Sequence, residues 1–292
     1  MDKILKSKID LHLHTKWSDG EDSTTELLDN IIKSGVKFFS ITDHDTIKGN
    51  IDFVTPENIK KLSENNIKFV TGIEVSTICY GQEIHVVALD YDINSQYITA
   101  MTTESENLRR KNCEFRIDYI ENILKLKLSQ SSKEYLHSQN ICAKPHYARC
   151  LVNDGYSSDI MTALSDICSL LPGSDCNIDA EIVIPSILKA GGIPVWAHPL
   201  GGINEPRLTN EEFFTTLNNL IKLGLKGIEC YYSLYNKEEI DFLLKIAKEN
   251  NLYASSGSDY HGKNVKKVTI GEVSCDNTNV DYSKIDIIKH FK

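Results

Sequence analysis

The feature that most limits what this chain can become is the stretch Ile9-Asp10-Leu11-His12-Leu13-His14-Thr15, followed by Ser18-Asp19-Gly20. Side chains alternate along a strand, so His12 and His14 leave one face together with Asp10. Ile9, Leu11 and Leu13 leave the other, which reads as a packing face. Two imidazoles with a carboxylate beside them suit Zn, Mn or Fe better than an all-oxygen calcium cage. A solvent-facing strand end with two ordinary histidines has the same local pattern, and repetition separates the two readings. Four further histidines stand within or at the end of apolar extended runs: Thr42-Asp43-His44, Glu83-Ile84-His85-Val86-Val87, Pro194-Val195-Trp196-Ala197-His198-Pro199 and Gly257-Ser258-Asp259-Tyr260-His261-Gly262. Six of the nine histidines therefore occupy one kind of position. Core packing gives no reason for that bias, whereas a ring of metal ligands around one mouth does.

A chain of 292 residues accommodates one large domain or a domain with an insert. The net charge of -9 argues against broad, sequence-independent binding of duplex nucleic acid. A small phosphorylated substrate held by a few local cations remains compatible with it. Met1-Asp2-Lys3-Ile4-Leu5-Lys6 lacks the apolar core of a signal peptide, and no apolar run is long enough to span a bilayer. The eight cysteines include no Cys-x-x-Cys pair. They read as reduced packing thiols of a cytoplasmic protein.

The order of elements points to an α/β protein. Ser23-Thr24-Thr25-Glu26 has the form of a capping box, and Leu27, Leu28, Ile31 and Ile32 repeat at helical spacing until Gly35. Val36 to Thr42 reads as a buried strand delivering His44. Thr55-Pro56 opens a second helix, Ile67 to Val75 is a third strand and Ile84 to Leu89 a fourth. Strand and helix alternating through short links predict a parallel sheet with helical crossovers, whose working residues gather at the carboxyl ends of the strands. Residues 101–180 differ. Leu108 to Leu128 reads as a long charged helix, shorter helices follow, Leu171-Pro172-Gly173-Ser174 is a loop, and no strand-like run occurs. This region reads as a helical insert over the mouth of a barrel formed by residues 1–100 and 181–292. Alternation then resumes: a helix ending at Gly191-Gly192, a strand from Ile193 to Ala197, a helix from Asn210, a strand from Lys226 to Tyr231, a helix from Lys237 to Asn250 and a strand from Leu252 to Ser256.

The ordered blocks His12-Leu13-His14, Asp19-Gly20, Thr42-Asp43-His44-Asp45, Gly72-Ile73-Glu74, His85, Ala197-His198-Pro199 and Gly257-Ser258-Asp259-Tyr260-His261-Gly262 resemble the PHP family, the polymerase-and-histidinol-phosphatase metal-dependent phosphoesterases. The resemblance runs from residue 8 to about residue 262. It implies a distorted (β/α)7 TIM-like barrel with two or three divalent metal ions, Mn, Zn or Fe, at the carboxyl-terminal mouth. By that resemblance His12, His14, Glu74 and Asp259 hold one ion, Glu74, His85 and His198 a second, and Asp19, His44 and His261 a third. A water bridging two such ions is acidified to a hydroxide for in-line attack on phosphorus. Asp19, His44 or His261 then assists the leaving oxygen. Asp10 is expected to hydrogen-bond a ligand imidazole, and Asp43 or Asp45 to orient His44. Trp196 is expected inside the barrel. Tyr231 and Tyr232 either touch a base or sugar or only pack at the rim. His137 and His290 match no block.

Lys144-Pro145-His146-Tyr147-Ala148-Arg149 resembles the Arg-x-His-Phe-Ala-Arg block of a subgroup acting on nucleotides with more than one phosphate. The resemblance implies that Lys144, His146 and Arg149 clamp a phosphate that is not cleaved, a task suited to a guanidinium fork and an ammonium point charge. Without the family context the same residues read as the start of a surface helix. The chain departs from the subgroup in having Lys144 at the first position. It also lacks Gly-Arg-Tyr after Ala-His-Pro, carrying Leu200-Gly201-Gly202-Ile203-Asn204-Glu205-Pro206-Arg207 there, and it has no Pro-Ala-Tyr-Val-Pro segment near residue 175. Arg207 is the candidate to supply the missing cation. The expected activity is a phosphoesterase for a small nucleotide-like substrate, a nucleoside 3′,5′-bisphosphate or a short oligonucleotide 5′ end. Its rivals are a sugar phosphate, histidinol phosphate or a cyclic phosphate, and a non-catalytic metal-stabilised interaction module.

Overall fold

The computed structural model describes residues 7–139, 142, 144–172, 177–202, 205–263, 268–275 and 280–292. The N-terminal hexapeptide, Gly173 and Ser174 of the expected loop, Cys176, and Ile203 and Asn204 lie outside the described residues. The chain divides into two compact units, one of residues up to Thr102 with Ile178–Lys292, the other Thr103–Asn177.

The first unit is built on strands β1 (Lys8–Leu13), β2 (Val36–Ile41), β3 (Lys68–Cys79), β4 (Gln82–Leu89), β5 (Ile178–Asp179), β6 (Ile193–Trp196), β7 (Gly227–Tyr232) and β8 (Tyr253–Gly257). Their order around the sheet is β1-β2-β3-β4-β6-β7-β8, with the two-residue β5 added beside β3. Leu13 bridges in parallel to Tyr260 just beyond β8, and Ser256 Oγ donates to the Ile9 carbonyl. The seven strands thus form a nearly closed barrel with helices around it.

One strand corrects the all-parallel expectation. β4 runs antiparallel to both of its neighbours, β3 and β6. Only Tyr80 and Gly81 separate β3 from β4, both with positive φ (49° and 88°). Two such residues make the tight hairpin turn that matches strand twist. A parallel return needs a crossover of a dozen residues, which this link does not contain. β5 is a second correction, a short strand where none is expected.

The helices follow the local signals closely. In α1 (Thr24–Ser34) Ser23 and Glu26 form the capping box, and Gly35, at φ 79°, ends the helix. A short α2 (Lys48–Phe53), absent from the sequence reading, precedes α3 (Pro56–Asn65), which Thr55 caps. α8 (Ala180–Lys189), α9 (Asn210–Leu223) and α10 (Lys237–Glu249) complete the layer, with capping boxes opening α9 and α10. The apolar faces of α1 and α3 pack on β1 and β2 through Leu27, Leu28, Ile31, Leu62, Leu13, Phe39 and Ile41. Trp196 is buried but stacks on Phe213 of α9, with ring centroids 5.1 Å apart. It therefore lies between sheet and helix, not inside the barrel.

α4 (Gln96–Asp118) starts twelve residues before the expected Leu108 and passes into a π-helical turn at Tyr119–Ile123, ending short of Leu128. The second unit contains α5 (Gln130–Ser138), α6 (Lys144–Asn153) and α7 (Ile160–Asp166) around a small core that includes Ile117, Ile120, Leu136, Tyr147 and Leu151. Cys79, Cys113, Cys142, Cys150, Cys168, Cys230 and Cys275 are all free thiols, and only Cys275 is exposed. No helix among the described residues is long and apolar enough to cross a membrane.

Candidate metal centre

The barrel closes its carboxyl ends around one carboxylate. β1 supplies His12 and His14, the chain leaving β2 supplies His44, and β3 supplies Glu74, which bridges to His44. His85 enters from the amino-terminal half of the reversed strand β4, opposite Ser76. His198 follows β6, and Asp259 and His261 follow β8. His198 and Asp259 both hold left-handed backbone (φ 27° and 59°), a conformation that costs non-glycine residues on the order of 1–3 kcal/mol and concentrates at functional sites.

Glu74 Oε2 lies 3.1 Å from His12 Nε2, 3.2 Å from His14 Nε2 and 3.1 Å from His44 Nδ1. Its other oxygen, Oε1, lies 3.0 Å from His85 Nδ1 and 2.9 Å from His198 Nε2. Asp259 Oδ1 stands 3.3 Å from His14 Nε2 and 3.8 Å from His12 Nε2. Asp19 Oδ1 stands 3.1 Å from His261 Nε2 and 3.7 Å from His14 Nδ1, and Oδ2 stands 3.9 Å from His44 Nε2. These atoms fall into overlapping groups with metal-binding spacing: His12, His14, Glu74 and Asp259; His14, Asp19, His44 and His261; His44, Glu74 and His85; and His85, His198 and Glu205. The structure thus brings together all nine residues singled out as metal ligands, with His14, His44, Glu74 and His85 each reaching two groups.

The donor set fits divalent cations. His12 Nε2, His14 Nε2, His44 Nδ1 and Glu74 Oε2 are buried and have no hydrogen-bond partner, although they face one another. Stranded buried polar atoms are costly, and cations held among these overlapping groups satisfy them. His261 Nδ1–H donates to the Asp259 carbonyl at 2.9 Å, which leaves Nε2 to face Asp19 Oδ1 at 3.1 Å. A proton or a cation between those two atoms holds them together.

The protons follow the same electrostatics. Burial pushes His14 toward neutrality, but Asp259 and Glu74 outweigh it and raise the imidazole to about 9. Burial opposes protonation of His198 too, and Glu205 and Glu74 raise it to about 10. Burial holds His44 down at about 3, neutral and ready to ligate. Burial raises and His44, His261 and His14 lower the Asp19 carboxyl, which ends below its ordinary range. A raised imidazole holds its proton at neutral pH, and an entering cation has to displace it. Metal titration at pH 7 is therefore expected to release protons, and apparent affinity to climb as pH rises toward about 9 and 10, where His14 and His198 lose theirs. Calorimetry in two buffers of different ionisation heat checks this, and identical heats in both would contradict it.

Three orienting roles, those of Glu229, Tyr232 and Glu205, are not among the sequence expectations. Glu229 Oε1 is 3.1 Å from His12 Nδ1, and its Oε2 accepts from the His198 backbone N–H at 2.8 Å. One buried carboxylate thereby fixes two candidate ligands. A Cβ on Gly257 would come within 2.1 Å of His12 Cβ and 2.3 Å of Glu229 Oε1, so this glycine makes room for the pair. Tyr232 Oη donates to Asp259 Oδ2 at 2.8 Å, leaving Oδ1 for the imidazoles. The third, Glu205, places Oε2 3.0 Å from His198 Nδ1. Glu229 was detectable as the one acid in the otherwise apolar run Gly227–Tyr232; Glu205 sits in a loop without periodicity.

Several expected roles change. Asp10 accepts from the backbone N–H groups of Ser258 (2.9 Å), Gly271 (2.7 Å) and His12 (3.4 Å), tying β1 to the chain beyond β8 rather than holding an imidazole. Asp43 accepts from Thr15 N and Oγ1 and from Ser18 Oγ, each at 2.7 Å, and so shapes the loop that carries Asp19. Asp45 accepts from Ser76 N and Oγ. Tyr231 is buried with its hydroxyl on the Asp281 carbonyl at 3.3 Å, and Tyr232 is committed to Asp259, so neither offers a face to a base. His137 pairs with Glu114 and His290 stacks on Tyr253.

In the second unit, Lys144 and Arg149 are exposed on α6. Arg149 Nη1 donates to Tyr135 Oη at 3.2 Å with its guanidinium over the Tyr135 ring, and the His146 ring lies 6.1 Å from the same tyrosine. Arg207, in the barrel unit, is ion-paired with Glu239 of α10.

A barrel whose strand ends converge imidazoles and carboxylates on shared cation positions has the architecture of a metal-dependent hydrolase. A family model for the PHP domain matches residues 10–179. The chain is 31% identical to a 5′-3′ exoribonuclease of Haemophilus influenzae, over 88% of this chain and 91% of that protein. It is 26% identical to a phosphoribosyl 1,2-cyclic phosphate 1,2-diphosphodiesterase of Eggerthella lenta, over 87% of this chain and 94% of that one. It is also 26% identical to a 3′,5′-nucleoside bisphosphate phosphatase of Chromobacterium violaceum, over 87% of each. Among solved structures, a protein described as a metal-dependent phosphoesterase from Bifidobacterium adolescentis superposes with a TM-score of 0.72 at 24% identity, over 97% of this chain and 96% of its own, and shares the fold. The chain belongs to the PHP domain family.

Proposed function

We propose that the protein hydrolyses the phosphate monoester of a nucleotide carrying more than one phosphate, a nucleoside 3′,5′-bisphosphate or the 5′ end of a short oligonucleotide, with two to three Mn, Zn or Fe ions held by His12, His14, Asp19, His44, Glu74, His85, His198, Asp259 and His261. The observation that carries the reading is Glu74, whose two oxygens stand within 3.2 Å of five imidazole nitrogens. Divalent ions there supply Lewis-acid polarisation of the phosphoryl oxygens and lower the pKa of a water nucleophile. Glu74 places these charges side by side, Glu229 and Tyr232 keep the ligand atoms aimed, and the burial of His12 and His14 shields the centre from bulk water. Asp19, whose side chain is 37% exposed, marks the open side, and with His44 and His261 it assists the leaving oxygen.

Lys144, His146 and Arg149, with Arg207, are assigned to the phosphate that is not cleaved. The cationic residue types support this assignment, as do the nucleotide activities for which the Haemophilus and Chromobacterium relatives are named. The Eggerthella relative, named for a cyclic phosphate, favours a second reading in which the substrate is a cyclic diester. Rates on a nucleoside 3′,5′-bisphosphate, the matching mononucleotide and a 1,2-cyclic phosphate separate the two. Arg149→Ala is expected to lower kcat/KM on the bisphosphate by about tenfold or more, the worth of one charge-assisted hydrogen bond, and to spare the mononucleotide. Equal loss on both, or preference for the cyclic ester, would overturn the clamp.

A further inference from the structure

We propose that Glu205 is a direct ligand of the cation shared by Glu74, His85 and His198, so that the loop after β6 supplies a fourth protein donor to that position. The inference rests on the metal-centre reading above and adds a residue to it. Three donors already define the position. Glu74 Oε1, His85 Nδ1 and His198 Nε2 are separated by 2.9, 3.0 and 3.4 Å. Ligands about 2.0–2.2 Å from one ion stand roughly 2.9–3.5 Å from each other. Glu205 Oε1 lies 3.4 Å from His85 Nδ1, at that same spacing.

The other carboxylate oxygen explains why Oε1 is turned inward. Oε2 accepts from the Gly202 backbone N–H at 2.9 Å and stands 3.0 Å from His198 Nδ1. With His198 Nδ1 held by Glu205, its Nε2 stands 2.9 Å from Glu74 Oε1, and the proton between those two atoms is the one that an entering cation displaces. Glu205 thus orients one ligand and turns its other oxygen toward the same position. The loop is shaped for this. A Cβ on Gly202 would stand 3.0 Å from Glu205 Oε2 and 3.1 Å from His198 Nδ1, filling the cradle in which the carboxylate sits. Glu205 brings a carboxylate to a position where Glu74 is shared with the neighbouring groups, and four protein donors retain an ion more firmly than three.

The test compares full-length wild-type, Glu205→Gln and Gly202→Ala proteins. Glutamine keeps a carbonyl acceptor for Gly202 N–H and His198 Nδ1–H but removes the anionic donor. Alanine at 202 leaves the carboxylate in the chain but crowds its seat. Each protein is loaded with Mn2+ and dialysed against a weak chelator. Its metal is counted by elemental analysis, and the stepwise Kd values are measured by titration. Both variants are expected to retain one ion fewer than wild type, with one step weakened by about tenfold or more and the remaining steps unchanged. Unchanged stoichiometry and Kd in Glu205→Gln would overturn the proposal by reducing Glu205 to a hydrogen-bonding loop residue. Wild-type protein that retains no ion at all overturns the metal-centre reading itself and the proposal with it, an outcome distinct from a difference between variants. Far-ultraviolet circular dichroism confirms that each variant is folded.

Discussion

Glu74→Gln is expected to lower turnover by about 10^3 or more and to reduce the metal retained, while the barrel remains folded. A side chain of the same shape but without charge loses the one anion that faces all five imidazoles. The size of the effect follows from where that charge acts. Groups that set the field around the transferred phosphoryl act on the transition state directly, and removing one typically costs about 10^2–10^3 in rate; here the loss of aligned cations adds to it. Glu74 is fully buried at the centre of β3, and its backbone N–H and carbonyl pair with the chain around Thr42 and Asp45. The amide is therefore held in place. Phosphate release and metal content measured on the same preparation check the expectation, and a variant with normal metal and normal turnover would contradict it.

Chelation gives the second large effect. In the metal-free state the site holds buried imidazoles and carboxylates that only partly satisfy one another, as the stranded atoms of His12, His14, His44 and Glu74 show. An ion that binds only the folded state contributes about 2.7 kcal/mol at a hundredfold excess over its Kd. For a unit of this size each kcal/mol moves Tm by roughly 2–4 °C. Stripping a single ion is thus expected to lower Tm by about 5–10 °C, and stripping more by more, with recovery on adding Mn2+ but not Na+ at matched ionic strength. A melting curve indifferent to chelator and metal would contradict the fit between these residues and a cation.

Much of the site was legible because six histidines stand within or beside strand-like runs, while Asp19, Glu74 and Asp259 joined them only through the resemblance to the PHP family. His12 and His14 share a strand face by parity alone, and His44, His198 and His261 each follow a run that reads as a strand. The direction of β4 was harder to read. Hydropathy alternation is the same for a strand run either way, and the information lay in the shortness of the Tyr80-Gly81 link. The orienting residues were harder still. Glu229 and Tyr232 sit in an apolar strand, and their roles arise only when β7 is laid beside β6 and β8, bringing them to His12, His198 and Asp259. Asp10 shows the converse. Strand parity put it with the histidines, yet its carboxylate is consumed by the Ser258 and Gly271 amides, a tertiary demand with no local trace. Glu205 lies in a loop whose neighbour Arg207 drew attention as a cation, while the carboxylate two residues earlier is the group that reaches His85 and His198.

The most direct test is release of inorganic phosphate from a nucleoside 3′,5′-bisphosphate by chelator-stripped protein titrated with Mn2+. The proposed function predicts no hydrolysis without metal, a rise on titration, and a plateau at two to three equivalents per chain. A rate already maximal in the stripped protein, or no phosphate released at any loading, would contradict it.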